Sequence, residues 1–330
     1  MTTDAKDVPI PRRPGGLTVR TIAAILFFCY ASGLRLLSRL DDRTALRVSR
    51  IVNPWTKAPI LGRFRRNLAI LFPSPKWSPA QRAELEASYL KYMLRLRPEV
   101  ARFFFRITPE AVRQKVKLSG REHLVAALEK DRGVLVIEGH FGNWNYTPAI
   151  LASLGYSVTA VVHPNPIPGA NFRSLHERAA RNLGIRLGFV GQNAYASVKD
   201  TFAGNGILYL DFDVVPPGKR SRWFRLGDGA ILLDTGPAIL ALRHRVPVLF
   251  ANNVLGEDGT TVTLTPAVGA ASNAAEDPSP AALLQTWVDT FQAVLLKDPG
   301  QWWAMSFVDL GSHSKLDSPT SSATSASSPS

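Results

Sequence analysis

This chain is poor in cysteine, in nucleophile motifs and in long uncharged runs, and each shortage removes a class of function. Cys29 is the only cysteine among 330 residues, so no intrachain disulfide framework exists and nothing marks an oxidising compartment. No Gly-x-Ser-x-Gly elbow occurs, which removes the usual serine nucleophile on a strand-to-helix turn. The chain also lacks a P-loop, a Gly-x-Gly-x-x-Gly fingerprint and any zinc pattern. His123, His163, His176, His244 and His313 have no partner at metal-ligand spacing and read as structural or solvent-facing. The uncharged run Thr21 to Leu34 is fourteen residues, short of the roughly 20 that cross a bilayer comfortably. No internal repeat is evident.

What is present is apolar content and uneven charge. Hydrophobic residues make up 45% of the chain, ample for a substantial core. Residues 1–106 hold 20 Lys/Arg against 7 Asp/Glu, whereas the remainder holds 19 of each, so the whole net charge of +13 lies in the amino-terminal third. Apolar and aromatic residues are interleaved with those charges. That mixture fits docking on anionic membrane lipids better than it fits a nucleic-acid stripe, and no nucleic-acid partner is expected.

Along the chain, residues 1–16 form a polar, proline-rich lead expected to be disordered. Residues 17–110 read as a helical, amphipathic membrane-docking region. Its first run, flanked by Arg20, Arg35 and Arg39, predicts a monotopic or single-span anchor with basic flanks in the cytoplasm. A buried core helix is the alternative. No convincing small-residue cleavage site marks a secretory signal. Ser78 with Pro79 predicts a helix start, after which Leu85, Tyr89, Tyr92, Met93 and Leu96 line one apolar face. Phe103 to Phe105 suit core packing or a membrane contact.

Residues 111–311 alternate strand and helix. Strands are predicted at Val134–Ile137, Ser157–Val162, Gly206–Asp211 and Val246–Ala251, with Thr260–Pro266 as an edge strand by its threonines. Helices are predicted at Tyr146–Leu154, Asn171–Leu183, Leu233–Arg243 (after a long loop) and Pro280–Leu296. The expected class is α/β, a mostly parallel central sheet flanked by helices on both faces. Residues 312–330, rich in Ser, Thr and Pro, should be a disordered tail.

The stretch Gly133-Val-Leu-Val-Ile-Glu138-Gly139-His140-Phe141-Gly142-Asn143-Trp144-Asn145 organises the rest. Its β-branched, uncharged strand ends in a glycine-flanked histidine at the mouth of a helix. That places an imidazole at the carboxyl edge of the sheet, where open α/β sheets form ligand crevices. A satisfied loop histidine would use the same turn. Downstream, Asp211 and Asp213 lie two apart at a strand end and so point to one face, either toward the crevice or as loop caps. Lys219, Arg220, Arg222 and Arg225 form a basic loop with Pro216, Pro217 and Gly218, a solvated run or a phosphate contact.

The block His140-Phe-Gly-Asn-Trp144 resembles the active-site block of the lipid A lauroyl/myristoyl acyltransferase family, which includes the phosphatidylinositol mannoside acyltransferases. Arg66-Asn67-Leu68 with Leu71-Phe72-Pro73, Leu118 to Leu124, Asp211-Phe-Asp213 and Pro299-Gly-Gln301-Trp302-Trp303 are similar too, so the resemblance spans about Arg20 to Phe307. It implies a membrane-associated O-acyltransferase on the cytoplasmic face of the bacterial inner membrane. It implies no cofactor; acyl-carrier protein or acyl-CoA would be the donor, and a glycolipid or lysophospholipid hydroxyl the acceptor. His140 would be the general base, an imidazole being well matched to deprotonating an alcohol near neutral pH. Gly142, Asn143, Trp144, Arg181, Lys219 and Arg220 would bind substrate. The family carries Asp or Glu five positions after its histidine, and here that position is Asn145. An amide can hold a tautomer but cannot offset an imidazolium. Either a carboxylate comes from elsewhere, with Asp211 and Asp213 the first candidates and Glu138 the next, or the chain is a non-catalytic lipid- or glycolipid-binding relative.

Overall fold

The computed structural model describes residues 17–163, 172–214, 218, 220–267, 269 and 278–316. The expected lead at 1–16 and the tail from 317 onward lie outside the described residues, as do Lys219, Pro216, Pro217 and Asn171.

Three long helices come first: α1 (Leu17–Leu37), α2 (Asp42–Leu71) and α3 (Pro79–Arg106). Asp41 caps α2 by accepting from the Thr44 N–H, and Ser78 with Gln81 forms a capping box on α3. The short α4 (Pro109–Lys115) leads into β1 (Val116–Ser119) and α5 (Arg121–Leu128). Then follow β2 (Val134–Glu138), α6 (Tyr146–Ser153), β3 (Val158–Val162), α7 (Phe172–Leu183), β4 (Arg186–Phe189), α8 (Ala194–Ala203) and β5 (Ile207–Asp211). The chain continues through β6 (Ser221–Leu226), β7 (Gly229–Asp234), α9 (Gly236–His244), β8 (Val248–Leu255), β9 (Thr260–Ala267), α10 (Pro280–Leu295) and β10 (Leu310–Ser312).

Seven strands form the central sheet in the order β1-β9-β8-β2-β5-β3-β4, parallel at every pairing except β8 with β9. Alternate residues of β2 enter different cores. Leu135 and Ile137 pack with α2, α3 and α10 through Phe64, Tyr89 and Trp287, whereas Val134 and Val136 pack with α4, α5 and α6 through Val112, Leu124 and Ile150. All five β2 residues are buried, so both faces of the sheet are covered, as a continuous apolar strand requires.

Several expectations need correction. Thr260–Ala267 is an interior strand between β8 and β1; the unanticipated β1 takes the edge beside it. The long loop predicted before the Leu233 helix contains the β6–β7 hairpin, which with β10 makes a second, antiparallel sheet. Leu233 and Asp234 therefore belong to β7, and α9 starts at Gly236, with Pro237 in its first turn. The ordered chain also runs past Ser312: Leu310–Ser312 pairs with β7 and a 3₁₀ turn follows at His313–Lys315. Backbone pairing with β7 outweighs the disorder that the local composition suggested.

The α1 helix is buried only at its carboxyl end. Leu34 and Leu37 pack with Ala45 and Ala101, and Phe27 meets Phe172, but Ile25, Leu26 and Phe28 are 57%, 64% and 71% exposed. Among the described residues no helix is long and apolar enough to cross a membrane. Phe103 and Phe104 are core residues.

Candidate active site

Strand register builds the site. β2 and β5 are parallel neighbours, with Glu138 opposite Asp211. His140 and Asp213 each lie two residues beyond that pair, so the register delivers both to the same place past the carboxyl ends of the strands. Asp213, fully buried, accepts from the His140 backbone N–H through Oδ2 at 2.9 Å and meets ring Nδ1 through Oδ1 at 2.6 Å. The indole Nε1–H of Trp302 donates to the same Oδ2 at 2.8 Å. Three donors therefore fix this carboxylate, and it in turn fixes the ring. With Nδ1 engaged, Nε2 is the nitrogen left for chemistry. Asp211 Oδ2 stands 3.8 Å from Nε2, too long for a hydrogen bond but close enough for its charge to act.

The turn is held as firmly as the ring. Gly142 has φ +57°, and a Cβ there would meet the Asn253 carbonyl oxygen at 2.2 Å, so only glycine fits. Asn253 on β8 accepts from the Asn143 N–H and donates to the Asn143 carbonyl, and Tyr92 donates to the Gly142 carbonyl at 2.7 Å. The 3₁₀ turn Pro299–Gln301 and the residues after it clamp the other side: the Gly142 N–H donates to the Gln301 carbonyl and the Trp303 N–H to the His140 carbonyl. Trp144 and Trp303 flank the imidazole, with ring centroids 5.0 and 5.3 Å from it, and Trp303 stacks on the half-exposed Phe307 at 4.1 Å. An apolar wall thus runs from the histidine to the surface.

Electrostatics follow from that enclosure. Burial alone would lower the His140 pKa, but Asp211 and Asp213 outweigh it and push the ring up to about 9. Burial and the nearby Asp213 raise Asp211 to about 6, against the opposing effects of His140 and the Tyr209 hydrogen bond. Near neutral pH the resting pair is therefore imidazolium and carboxylate.

The anticipated residues divide. His140, Asp211, Asp213 and Trp144 converge, and Gly142 and Asn143 shape the turn beneath them, Asn143 being fully buried. Asn145 precedes α6 and makes no hydrogen bond to the ring. Arg181 is exposed in the last turn of α7, the end that feeds β4, and so lies toward the amino ends of the strands, away from His140. Arg220 pairs with Asp234 at 3.4 Å; Arg222 and Arg225 belong to β6 rather than to a loop. Lys219 lies outside the described residues. Reasoning from the sequence missed Tyr209 altogether and read Trp302 and Trp303 only as a resemblance. A tyrosine two before Asp211, on the same strand face, was the available signal.

A histidine whose ring is held by a buried carboxylate at the carboxyl edge of a mostly parallel sheet is an arrangement that can activate a hydroxyl. Residues 18–190 match the bacterial lipid A biosynthesis acyltransferase family, and the chain belongs to that family. It is an acyltransferase of lipid biosynthesis. Among solved structures, the 1-acyl-sn-glycerophosphate acyltransferase PlsC of Thermotoga maritima is similar at 15% identity over 77% of this chain and 99% of that one, with a TM-score of 0.32. No curated protein matches the chain.

Proposed function

We propose that the protein moves a fatty acyl group from an acyl-carrier-protein or coenzyme A thioester to a hydroxyl of a glycolipid or lysophospholipid, with His140 as general base. The observation that carries this reading is the Nδ1 contact with buried Asp213, which leaves Nε2 free beside the Trp144 and Trp303 indoles. Neutral Nε2 takes the proton of the acceptor hydroxyl as its oxygen attacks the thioester carbonyl. The tetrahedral intermediate then collapses, the C–S bond breaks, and the imidazolium returns the proton to the departing thiolate. Asp213 orients the ring, and Asp211 adds a second negative charge that favours the imidazolium. The indole wall suits an acyl chain. A binding-only role rested on the amide at Asn145; two carboxylates beside the ring remove the reason for it.

The exposed apolar side chains of α1, together with the basic amino-terminal third, support monotopic docking of residues 17–110 on an anionic cytoplasmic leaflet, with residues 111–311 as the catalytic core. Purified protein given acyl-CoA and extracted acceptor lipid should release free thiol faster than with acyl-CoA alone, and His140→Ala should abolish the gain. Equal rates for wild type and His140→Ala would end the reading. Leu26→Glu with Phe28→Glu should cut binding to vesicles containing anionic phospholipid by about tenfold or more without changing Tm, since both side chains are exposed. Undiminished binding would move the docking surface elsewhere.

A further inference from the structure

A third carboxylate lies behind the pair that flanks His140. Glu138, the last residue of β2, is 1% exposed. Its Oε2 is 2.9 Å from the Tyr209 hydroxyl, and the same hydroxyl is 2.7 Å from Asp211 Oδ1 and 3.3 Å from the Trp144 carbonyl. All three neighbours are acceptors, yet a phenol has one proton to give. If both carboxyl groups were ionised, one of the two short contacts would set lone pairs against each other, with Glu138 and Tyr209 both buried. A second proton must therefore reside on one of the two acids.

Charge decides which. Asp211 has the His140 ring 3.8 Å away to offset a negative charge. Glu138 faces Tyr209 and Asp211 from β5, Asp213 beyond its end, Tyr92 from α3 and Thr147 from α6, while the His140 ring, two residues further along the chain, pairs with Asp213 and Asp211 rather than with Glu138. Burial first, and then the charge of Asp211, hold the Glu138 carboxyl well above the usual range.

We propose that Glu138 carries a proton in the resting enzyme and, by donating it to the Tyr209 oxygen, makes the Tyr209 hydroxyl donate to Asp211, so that both act as positioning residues for the carboxylate beside His140 Nε2. The hydrogen bonds then run in one direction, Glu138 O–H to Tyr209 O–H to Asp211, and end on the acid that tunes the base. The role of Asp211 in this chain of bonds rests on the reading of His140 as base; the protonation of Glu138 does not.

Infrared spectroscopy of the full-length protein near neutral pH separates the two. Exposed carboxyls are ionised there. Wild type should show the carbonyl band of an un-ionised carboxylic acid, shifted in D₂O, and Glu138→Gln should lose it. Absence of the band from wild type, or its survival in Glu138→Gln, overturns the proposal whatever the activity of His140→Ala. Tyr209→Phe should shift the Glu138 band and move the ionisation of Asp211 to higher pH, because a carboxylate that loses a donor is harder to ionise. Its kcat should fall about tenfold, as for loss of one hydrogen bond to a charged group. An unshifted band together with an unchanged pH profile would leave Tyr209 as packing alone and refute the coupling. If Tyr209→Phe fails to fold, the wild-type band still decides: it should persist at neutral pH, where Asp211, which titrates near 6, is largely ionised and no longer accounts for it, and its absence there refutes the protonation of Glu138.

Discussion

Replacing Asp213 with asparagine tests the bracing of the base most directly. The carboxylate serves three donors: ring Nδ1–H at 2.6 Å on Oδ1, and the His140 N–H and Trp302 Nε1–H on Oδ2. An amide has one oxygen, so neither orientation satisfies all three. With its oxygen toward Nδ1, the NH₂ group confronts the backbone and indole donors. With its NH₂ toward Nδ1, the ring must accept there and carry its proton on Nε2, the nitrogen proposed to take the acceptor's proton. The comparable Asp→Asn change in the serine-protease triad lowers kcat about 10⁴-fold, or about 5 kcal/mol of barrier. We expect a loss of that order in thiol release with donor and acceptor present. Tm should fall as well, because a buried donor left unsatisfied costs about 1–3 kcal/mol. Nitrogen-15 NMR of the imidazole should show the neutral tautomer moving from Nδ1–H to Nε2–H. A loss below about tenfold with the tautomer unchanged would show that Asp213 holds only the turn and that another group orients the ring.

The pH profile offers a second test. Because the ring titrates near 9, kcat/KM should rise about tenfold per unit from near neutrality and level off around pH 9. Asp211→Asn removes a charge 3.8 Å from Nε2 and should move that limb down by about one to two units; an unmoved limb excludes Asp211 as the tuning charge. The same shift has a sign for stability. The folded pKa exceeds the unfolded 6.5, so the imidazolium contributes fully below pH 6.5 and its contribution is lost as pH rises through about 9. Thermal melts of wild type against His140→Ala across that window read it. Gly142→Ala should cost about 2–4 kcal/mol, from a positive φ plus a collision with the Asn253 carbonyl; a Tm within a degree or two of wild type would mean the turn relaxes freely. Asn145→Asp should change kcat less than about threefold, since Asn145 makes no bond to the ring, and a loss near that of Asp213→Asn would return it to the site.

How much of this was legible before the structure depends on whether the information is local. The strand expected at Val134–Ile137, the turn after it and the capped α3 each declare themselves within a few residues, and the structure has them there, the strand running one residue further to Glu138. What was lost is what depends on pairing across the chain. The threonine alternation in Thr260–Ala267 is also found in interior strands that face partners on both sides, so it cannot separate edge from centre without knowledge of β1. The β6–β7 hairpin was concealed because Arg222 and Arg225 are both exposed and, being three apart, break the simple alternation of a half-buried strand, so that by composition alone the segment looks like a basic loop.

The same distinction explains Asn145. A histidine and an acid five positions on imply a relay confined to one turn, and by that pattern this chain looks deficient. The parallel pairing of β2 with β5 makes the carboxylate a matter of register instead. Whatever residue lies two beyond Asp211 must face whatever lies two beyond Glu138, and the chain has Asp213 and His140 at those positions. Once Nδ1 is occupied from the neighbouring strand, a carboxylate at position 145 is no longer needed to orient the ring, and that position is free to begin α6 with an amide.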